Sequence, residues 1–276
     1  MQANTKLKTL GPQAAKLVAE LHERCRAIFT LDDVEAITAL VPKSARNFIA
    51  ALVKRGVATR LKPGLFILVP FELGWEREYL GNPYVVAREL AADQKYYISH
   101  ASAMEIHQMT TQPQLVIYTC AAKRVRPCTI MGTEFRFVHC RKNTAFGIIE
   151  HWIEKTEKIR VSDIERTVID GLARPEYCGG ISELAKGMAM RRRDIDTRKL
   201  VDYALRLKKG VVIRRLGFLL ELFEMAKPSQ VARLQKRLTN AYEILDPLLP
   251  DEGRHISRWK LRLNVSPEEL EAVLRT

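Results

Sequence analysis

The pattern of apolar and polar positions changes its period twice within the first 70 residues. Apolar residues recur at helical spacing over residues 12–25, 31–40 and 43–55, which predicts three helices. Two short apolar runs follow at residues 57–61 and 65–69, and the Lys-Pro-Gly between them predicts a hairpin of two strands. Helix, turn, helix and hairpin in this order are typical of a winged helix-turn-helix, a module that binds DNA.

A second, larger part of the chain follows. Residues 70–81 contain glycine and mixed charge, which is typical of a linker. Strand patterns dominate residues 94–160, and helical patterns dominate the region after them. The sequence therefore predicts an α+β fold: a winged helix-turn-helix DNA-binding domain in residues 1–75, then a mixed α/β domain in residues 82–276 with a strand-rich first part and a helical second part.

Residues suited to helix ends support these boundaries. Thr30 can cap the second helix, because its hydroxyl can accept a hydrogen bond from a free N–H group of the first turn. Pro42 interrupts the helical pattern because proline has no N–H, and Gly56 predicts the end of the third helix. Further along, Ser162 and Glu165 have the spacing of a capping box, which predicts Ser162 as the cap of a helix.

The polar face of the third helix and the hairpin supply the candidate DNA-binding residues. These residues are Lys43, Ser44, Arg46, Asn47 and Lys54 on the helix, and Arg60 and Lys62 on the hairpin. Arg46 is suited to guanine and Asn47 to adenine in a major groove, whereas Lys43 and Ser44 would hold phosphates. Arg60 and Lys62 would reach the DNA backbone or the minor groove. An ordinary solvated helix face is the alternative.

Charge points to a second candidate surface. The chain has a net charge of +13, so a polyanionic partner is plausible. Residues 181–240 hold 15 basic and 6 acidic side chains, against 12 and 8 in residues 1–80, so the stronger positive charge lies outside the predicted DNA-binding domain. The candidate partner surface is Arg191, Arg192, Arg193, Arg214 and Arg215. The last two could instead brace the fold by pairing with Glu221 or Glu224.

Several classes of function find no support in the sequence. The five cysteines form no CxxC pair, which fits a reducing compartment, and neither a secretory signal nor a membrane-spanning run occurs. We therefore expect a cytoplasmic protein without a membrane partner. Phosphate-binding loops, dinucleotide fingerprints and hydrolase motifs are missing. Cys120, Cys128, His139 and Cys140 do not have familiar zinc-ligand spacing. We expect no metal, no cofactor and no catalytic residues.

A series of motifs in the second part resembles a known family. The series is SDIERTVID (residues 162–170), Pro175, Gly179-Gly180, RRLGFLLE (residues 214–221) and Trp259. In this order it resembles the AbiEi antitoxin family, over most of the chain from about Lys16. The resemblance implies a winged helix that binds inverted repeats in its own promoter as an autorepressor. It also implies a C-terminal antitoxin domain that neutralises a cognate nucleotidyltransferase toxin of a type IV toxin–antitoxin system.

Two alternatives from other classes remain open. One is a winged-helix transcription factor whose C-terminal domain senses a ligand, for which a pocket with convergent polar groups would be the evidence. The other is an enzyme that processes nucleic acid, for which clustered carboxylates would be the evidence. The sequence leaves open the oligomeric state, the operator and the way in which a toxin would be neutralised.

Overall fold

The computed structural model describes residues 10–93, 95–141, 145–155 and 157–272, and these form a mixed α+β structure, as the sequence predicts. The first group of elements is α1 (Pro12–Glu23), β1 (Ile28–Thr30), α2 (Leu31–Thr38), α3 (Pro42–Lys54), β2 (Ala58–Lys62) and β3 (Leu65–Leu68). The three strands form an antiparallel sheet in the order β1-β3-β2. Strand β1 is an addition to the sequence prediction, which had only the β2–β3 hairpin.

Local signals fix the ends of α2 and α3. The Thr30 hydroxyl accepts a hydrogen bond from Asp33 N at 3.2 Å, and the Asp33 carboxylate accepts one from Thr30 N at 2.7 Å, so the predicted cap is confirmed. Pro42 is the first residue of α3, where its missing N–H costs nothing. The two helices meet at an angle of 107° across the short break between them.

The three-stranded sheet is buried on both faces. Phe66 and Leu68 of the central strand pack against α1, α2 and α3. Leu65 and Ile67, on the other face, join a hydrophobic cluster with α4. Burying a leucine or isoleucine is worth about 1.5–3 kcal/mol, so this second contact holds the sheet firmly against the rest of the chain.

The segment predicted as a linker contributes to that contact. Tyr79 N donates to Thr59 Oγ1 at 2.9 Å, and Arg77 Nη2 donates to Lys54 O at 3.2 Å. Asn82 then caps α4 by accepting a hydrogen bond from Tyr84 N at 3.0 Å. The segment is therefore attached to the first part by hydrogen bonds between backbone and side-chain groups, and the two parts of the chain share an apolar cluster.

A six-stranded mixed sheet forms the strand-rich region. The strands of this sheet and the two helices of the region are α4 (Pro83–Ala91), β4 (Tyr97–Ile98), α5 (His100–Ile106), β5 (Val116–Ala121), β6 (Cys128–Ile130), β7 (Thr133–His139), β8 (Ile148–Trp152) and β9 (Lys158–Ser162). The strand order is β6-β7-β5-β4-β9-β8, in which β5 runs parallel to β7 and β4 runs parallel to β9. Helix α4 contacts β5, β7 and β9, and helix α5 links β5 to the helices that follow.

The helical region contains the largest apolar cluster of the described chain. Its elements are α6 (Ile164–Ala173), α7 (Ile181–Met190), α8 (Thr197–Leu207), α9 (Gly210–Leu222), α10 (Pro228–Gln235), β10 (Glu243–Ile244), β11 (Arg254–Ile256), β12 (Leu261–Leu263) and α11 (Pro267–Ala272). Helix α6 contacts α5, α7, α8 and α9, so it lies at the centre of this region. The three short strands form a separate sheet in the order β10-β12-β11.

The capping prediction for α6 was wrong by one residue. Asp163 is the cap, because its Oδ1 accepts a hydrogen bond from Arg166 N at 2.7 Å. Ser162 instead ends strand β9, and its hydroxyl lies 2.8 Å from Thr167 Oγ1. The strand partner of Ser162, which sequence spacing does not reveal, keeps it in extended backbone.

None of the described helices is by itself long and apolar enough to cross a bilayer. Helices α2 and α3 meet the length and composition criteria only as a pair, and that pair is sharply bent.

Candidate nucleic-acid interface

Helix α3 has one buried face and one exposed polar face. Ala45, Ile49 and Leu52 point into the core, so the residues between them point outward. The exposed candidates on this helix are Lys43, Ser44, Arg46, Asn47 and Lys54, and Arg60 of β2 is exposed too. Within the described ranges, these six side chains make no hydrogen bond or ion pair. Their polar groups are thus available to an external partner.

Two guanidinium groups converge on one concave surface. Arg46 of α3 and Arg60 of β2 line the same cleft, whose floor includes Ala50 and Phe66. Gly64, at the tip of the β2–β3 hairpin, lines the far side of this cleft. The helix and the hairpin therefore each contribute one arginine to this cleft, although 14 positions separate the two residues in the sequence.

Lys62 differs from this exposed set, because its side chain is half-buried and has a partner within the fold. Its Nζ donates a hydrogen bond to Leu90 O, at the end of α4, at 3.2 Å. A bulge between Arg60 and Lys62 in the pairing of β2 with β3 breaks the simple alternation of the strand. The lysine is therefore turned toward α4 while Arg60 stays exposed.

Only some of the five arginines predicted to form a basic partner surface are exposed. Arg192 and Arg193 are exposed in the turn after α7. Arg191 is half-buried, with its Nε 3.0 Å from Asp194 Oδ2 and its Nη1 3.3 Å from Gln108 Oε1. The described structure therefore leaves two of these three arginines fully available.

Arg214 and Arg215 are not surface residues, and this correction has a clear physical reason. They are 2% and 4% exposed, respectively. Arg214 Nη2 donates to Ala241 O at 2.8 Å, and Arg215 Nη1 donates to Leu172 O at 2.7 Å. Both guanidinium groups therefore donate to backbone carbonyl groups inside the fold and do not face solvent. Bracing was the correct alternative, but the hydrogen-bond partners are carbonyl groups and the Thr239 hydroxyl, and not the predicted carboxylates.

The motif residues behind the family resemblance also lie inside the fold. Arg166 and Asp170 of SDIERTVID form a buried ion pair, with Nε 2.9 Å from Oδ1. Gly217 of RRLGFLLE lies against the ring of Trp259, where an added Cβ would be 2.0 Å from Cζ3. Gly180 has a φ of +99°, which L side chains rarely adopt, and faces the buried carboxylate that binds the start of α7. These residues form the scaffold of the second part.

The cysteine and histidine residues weighed for zinc come together only in part. Cys120, near the end of β5, and Cys140, just after β7, form a hydrogen bond, and His139 lines the same cleft. Cys128 lies apart from them on β6. Across the described ranges, no group of three or more His, Cys, Asp and Glu side chains is placed to hold a metal ion.

A second concave surface, not predicted from the sequence, lies at the carboxyl ends of β5 and β7. Its basic rim includes Arg141, Arg174, Lys208 and Lys209. These residues come from a strand end, the end of α6 and the loop between α8 and α9. No spacing in the sequence links them, and only the Lys208-Lys209 pair in a basic region gave a signal.

Comparison with known proteins bears on the fold. Neither a protein-family model nor a curated protein matches the chain. Among solved structures, the crystal structure of the Rv2827c protein from Mycobacterium tuberculosis is similar, with a TM-score of 0.71 and 18% sequence identity. The match covers 100% of this chain and 98% of that one. At this identity, the similarity establishes a shared fold over the whole length.

Proposed function

We propose that this chain is a DNA-binding antitoxin of the AbiEi type, which represses its own promoter in the cytoplasm and neutralises a cognate nucleotidyltransferase toxin. The observation that supports it most strongly is the exposed polar face of α3 beside Arg60 of the hairpin, whose candidate side chains have no partner in the part of the chain that the structure describes. In this proposal the chain acts by binding, without a catalytic site, metal or cofactor of its own.

The arrangement of α1 to β3 supports a winged helix-turn-helix. Helices α2 and α3 meet at 107°, within the range of about 90–120° typical of helix-turn-helix motifs. The β2–β3 hairpin follows directly and would be the wing. In this assignment α3 is the recognition helix, whose exposed residues enter the major groove of double-stranded DNA.

The exposed residues differ in what they could contact. Arg46 can make two hydrogen bonds to guanine, and Asn47 can make two to adenine, so these two side chains would supply sequence specificity. Lys43, Ser44 and Lys54 would hold phosphates, which fixes the position of the helix without selecting a sequence. Because Arg46 and Arg60 share a cleft, both could engage one stretch of DNA at once.

The antitoxin part of the proposal rests on the motif resemblance. Arg166, Asp170, Gly217 and Trp259 hold the second part of the chain together, as residues that define a fold would. They do not form a partner surface, so toxin contact must use other residues. A charged surface can steer an oppositely charged partner, and the exposed Arg192 beside Arg193 is the remaining candidate.

DNA binding can be tested with a duplex that contains the promoter of the chain's own reading frame. We expect Arg46→Ala to weaken specific binding by about 1–3 kcal/mol, and Asn47→Ala to have a similar effect. Lys54→Ala should weaken binding to all sequences equally and reduce the salt slope by about one. Arg192→Ala is the matched control, because it removes an exposed arginine far along the chain from α3. Wild-type binding by all of the α3 variants would refute this interface.

Antitoxin activity needs a separate experiment with the full chain. Co-expression with a nucleotidyltransferase encoded by the adjacent reading frame should restore the colony survival that the toxin alone abolishes. Charge reversal of Arg192 and Arg193 to glutamate should reduce this rescue if they contact the toxin. Failure of the wild-type chain to rescue would contradict the antitoxin assignment and leave the DNA-binding result unaffected.

A further inference from the structure

The basic cleft at the end of the six-stranded sheet has the properties of a binding site. It lies where the parallel strands β5 and β7 end, a position at which open sheets with parallel strands commonly bind ligands. Helix α6 forms its floor, and the loop between α8 and α9 forms part of its rim. Separate elements thus build one concave surface.

The charges that line the cleft are strongly unbalanced. They comprise five cations and one carboxylate, Asp170. The carboxylate is already neutralised, because Arg166 Nε lies 2.9 Å from its Oδ1 and Tyr97 Oη donates to its Oδ2 at 3.1 Å. The floor of the cleft would therefore repel an incoming anion only weakly, and the cations of the rim would attract it.

Two further features favour an anion. Helix α9 begins at this rim, with Lys209 as its cap, and no side chain there accepts a hydrogen bond from its first-turn N–H groups. Such a helix end carries partial positive charge and free donors. His100 also lines the cleft, is 2% exposed, and uses Nδ1 in a contact with Ser99 Oγ at 2.8 Å. Its Nε2 has no hydrogen-bond partner among the described residues, and it can donate to an anion when Nδ1 accepts from the Ser99 hydroxyl.

We infer that this cleft binds a small phosphate-bearing molecule, with Lys208 and Lys209 as the principal contacts. Arg174 is a further cation of the rim, although its Nη1 also lies 3.3 Å from Glu176 Oε1. Several cations around one concavity suit a ligand with more than one negative charge, such as a diphosphate group. Arg166 is a positioning residue here, since its guanidinium is engaged by Asp170 and Tyr97. The inference does not depend on the proposed DNA-binding or antitoxin function.

Pyrophosphate is the probe for a direct test with the full chain. Isothermal titration should show saturable binding at a stoichiometry of one. Lys208→Glu with Lys209→Glu should weaken it at least about tenfold, while Arg192→Glu with Arg193→Glu, which makes the same change of charge elsewhere, should leave it within about twofold. The cleft variant should fold, because glutamate is favourable at the start of α9. No saturable binding, or equal weakening in both variants, would overturn the inference.

Cys140 provides an independent reporter inside the cleft. Its thiol is half-buried, and a hydrogen bond with Cys120 lowers its pKa. The Cys140 thiolate would displace iodide from iodoacetate or iodoacetamide, forming a sulfur–carbon bond as the carbon–iodine bond breaks. We expect the anionic reagent to be several-fold more favoured at Cys140 than at the exposed Cys25.

The same measurement separates a small ligand from nucleic acid. Pyrophosphate should protect Cys140 but not Cys25 from alkylation, and the charge-reversed cleft should lose both the protection and the preference for iodoacetate. Protection by a DNA duplex but not by pyrophosphate would assign the cleft to a nucleic-acid surface instead. That result, or an equal reagent preference at the two cysteines, would contradict the inference.

Discussion

The substitution Gly217→Ala in α9 adds one methyl group and tests how tightly the second part of the chain is packed. The ring of Trp259 lies directly on it, and an alanine Cβ would be 2.0 Å from Cζ3 and 2.2 Å from Cη2. Ordinary contacts begin at 3.4 Å, so the ring would have to retreat by more than 1 Å. Trp259 is 1% exposed, and its Nε1 donates to Glu221 Oε2 at 2.5 Å, so little room exists for this movement.

The expected cost of Gly217→Ala follows from these contacts. Forcing a methyl group into a packed core costs about 1–3 kcal/mol, and losing a hydrogen bond to a carboxylate adds about 1.5–3 kcal/mol. Alanine regains about 1 kcal/mol because it is the better helix former. We therefore expect the free energy of unfolding to fall by about 1.5–5 kcal/mol.

Urea unfolding of the full chain, followed by tryptophan fluorescence and circular dichroism, would measure this loss. Gly11→Ala is the control for a glycine change in open space, since its added Cβ meets nothing within 4 Å. The decisive comparison uses Trp259→Leu, which removes the six-membered ring. In that background Gly217→Ala should be neutral or stabilising by up to about 1 kcal/mol. An equal cost in both backgrounds would refute the steric reasoning.

Three further outcomes are expected. Burial lowers the pKa of His100 to about 4, below the value of about 6.5 for an exposed histidine. The unfolded chain therefore binds a proton at a higher pH than the folded chain does, and the folded state loses stability as the pH falls from about 6.5 toward 4. The unfolding free energy should then drop by up to about 3 kcal/mol more in the wild type than in His100→Asn, measured by urea titrations at both ends of this range. Asp246→Ala should cost about 1–3 kcal/mol in the same assay, because the buried carboxylate accepts the Ile181 N–H at 2.6 Å. A fragment of residues 82–276 should melt at a lower temperature and bind more apolar dye than the full chain, because α4 loses its contact with Leu65; equal melting would show that this contact contributes little.

The fold of each local segment was largely determined by the sequence. The first three helices and the hairpin follow from the apolar period and from local signals such as the Thr30 cap, because a cap and its N–H partner lie within three residues of each other. The α+β class follows in the same way from the order of helical and strand patterns. The exposed face of α3, with Arg46 and Asn47, needed only the 100° rotation per residue of a helix.

The tertiary structure decided the features whose partners are distant in the chain. Strand β1 is only three residues long and exists through its pairing with β3. A bulge turned Lys62 toward α4, and the partner of Ser162 in the sheet moved the cap of α6 by one residue. Arg214 looked like a surface cation because composition reports charge without reporting which carbonyl groups need a donor.

The basic cleft shows most clearly that the sequence alone does not reveal which distant residues meet. His100, Cys140, Arg174 and Lys208 belong to four segments, and the sheet and helices alone bring them to one surface. A periodic pattern shows which side of one element faces the core, because it depends on the rotation from one residue to the next. It contains no information on which elements meet, so a site built from several of them appears only once the chain is packed.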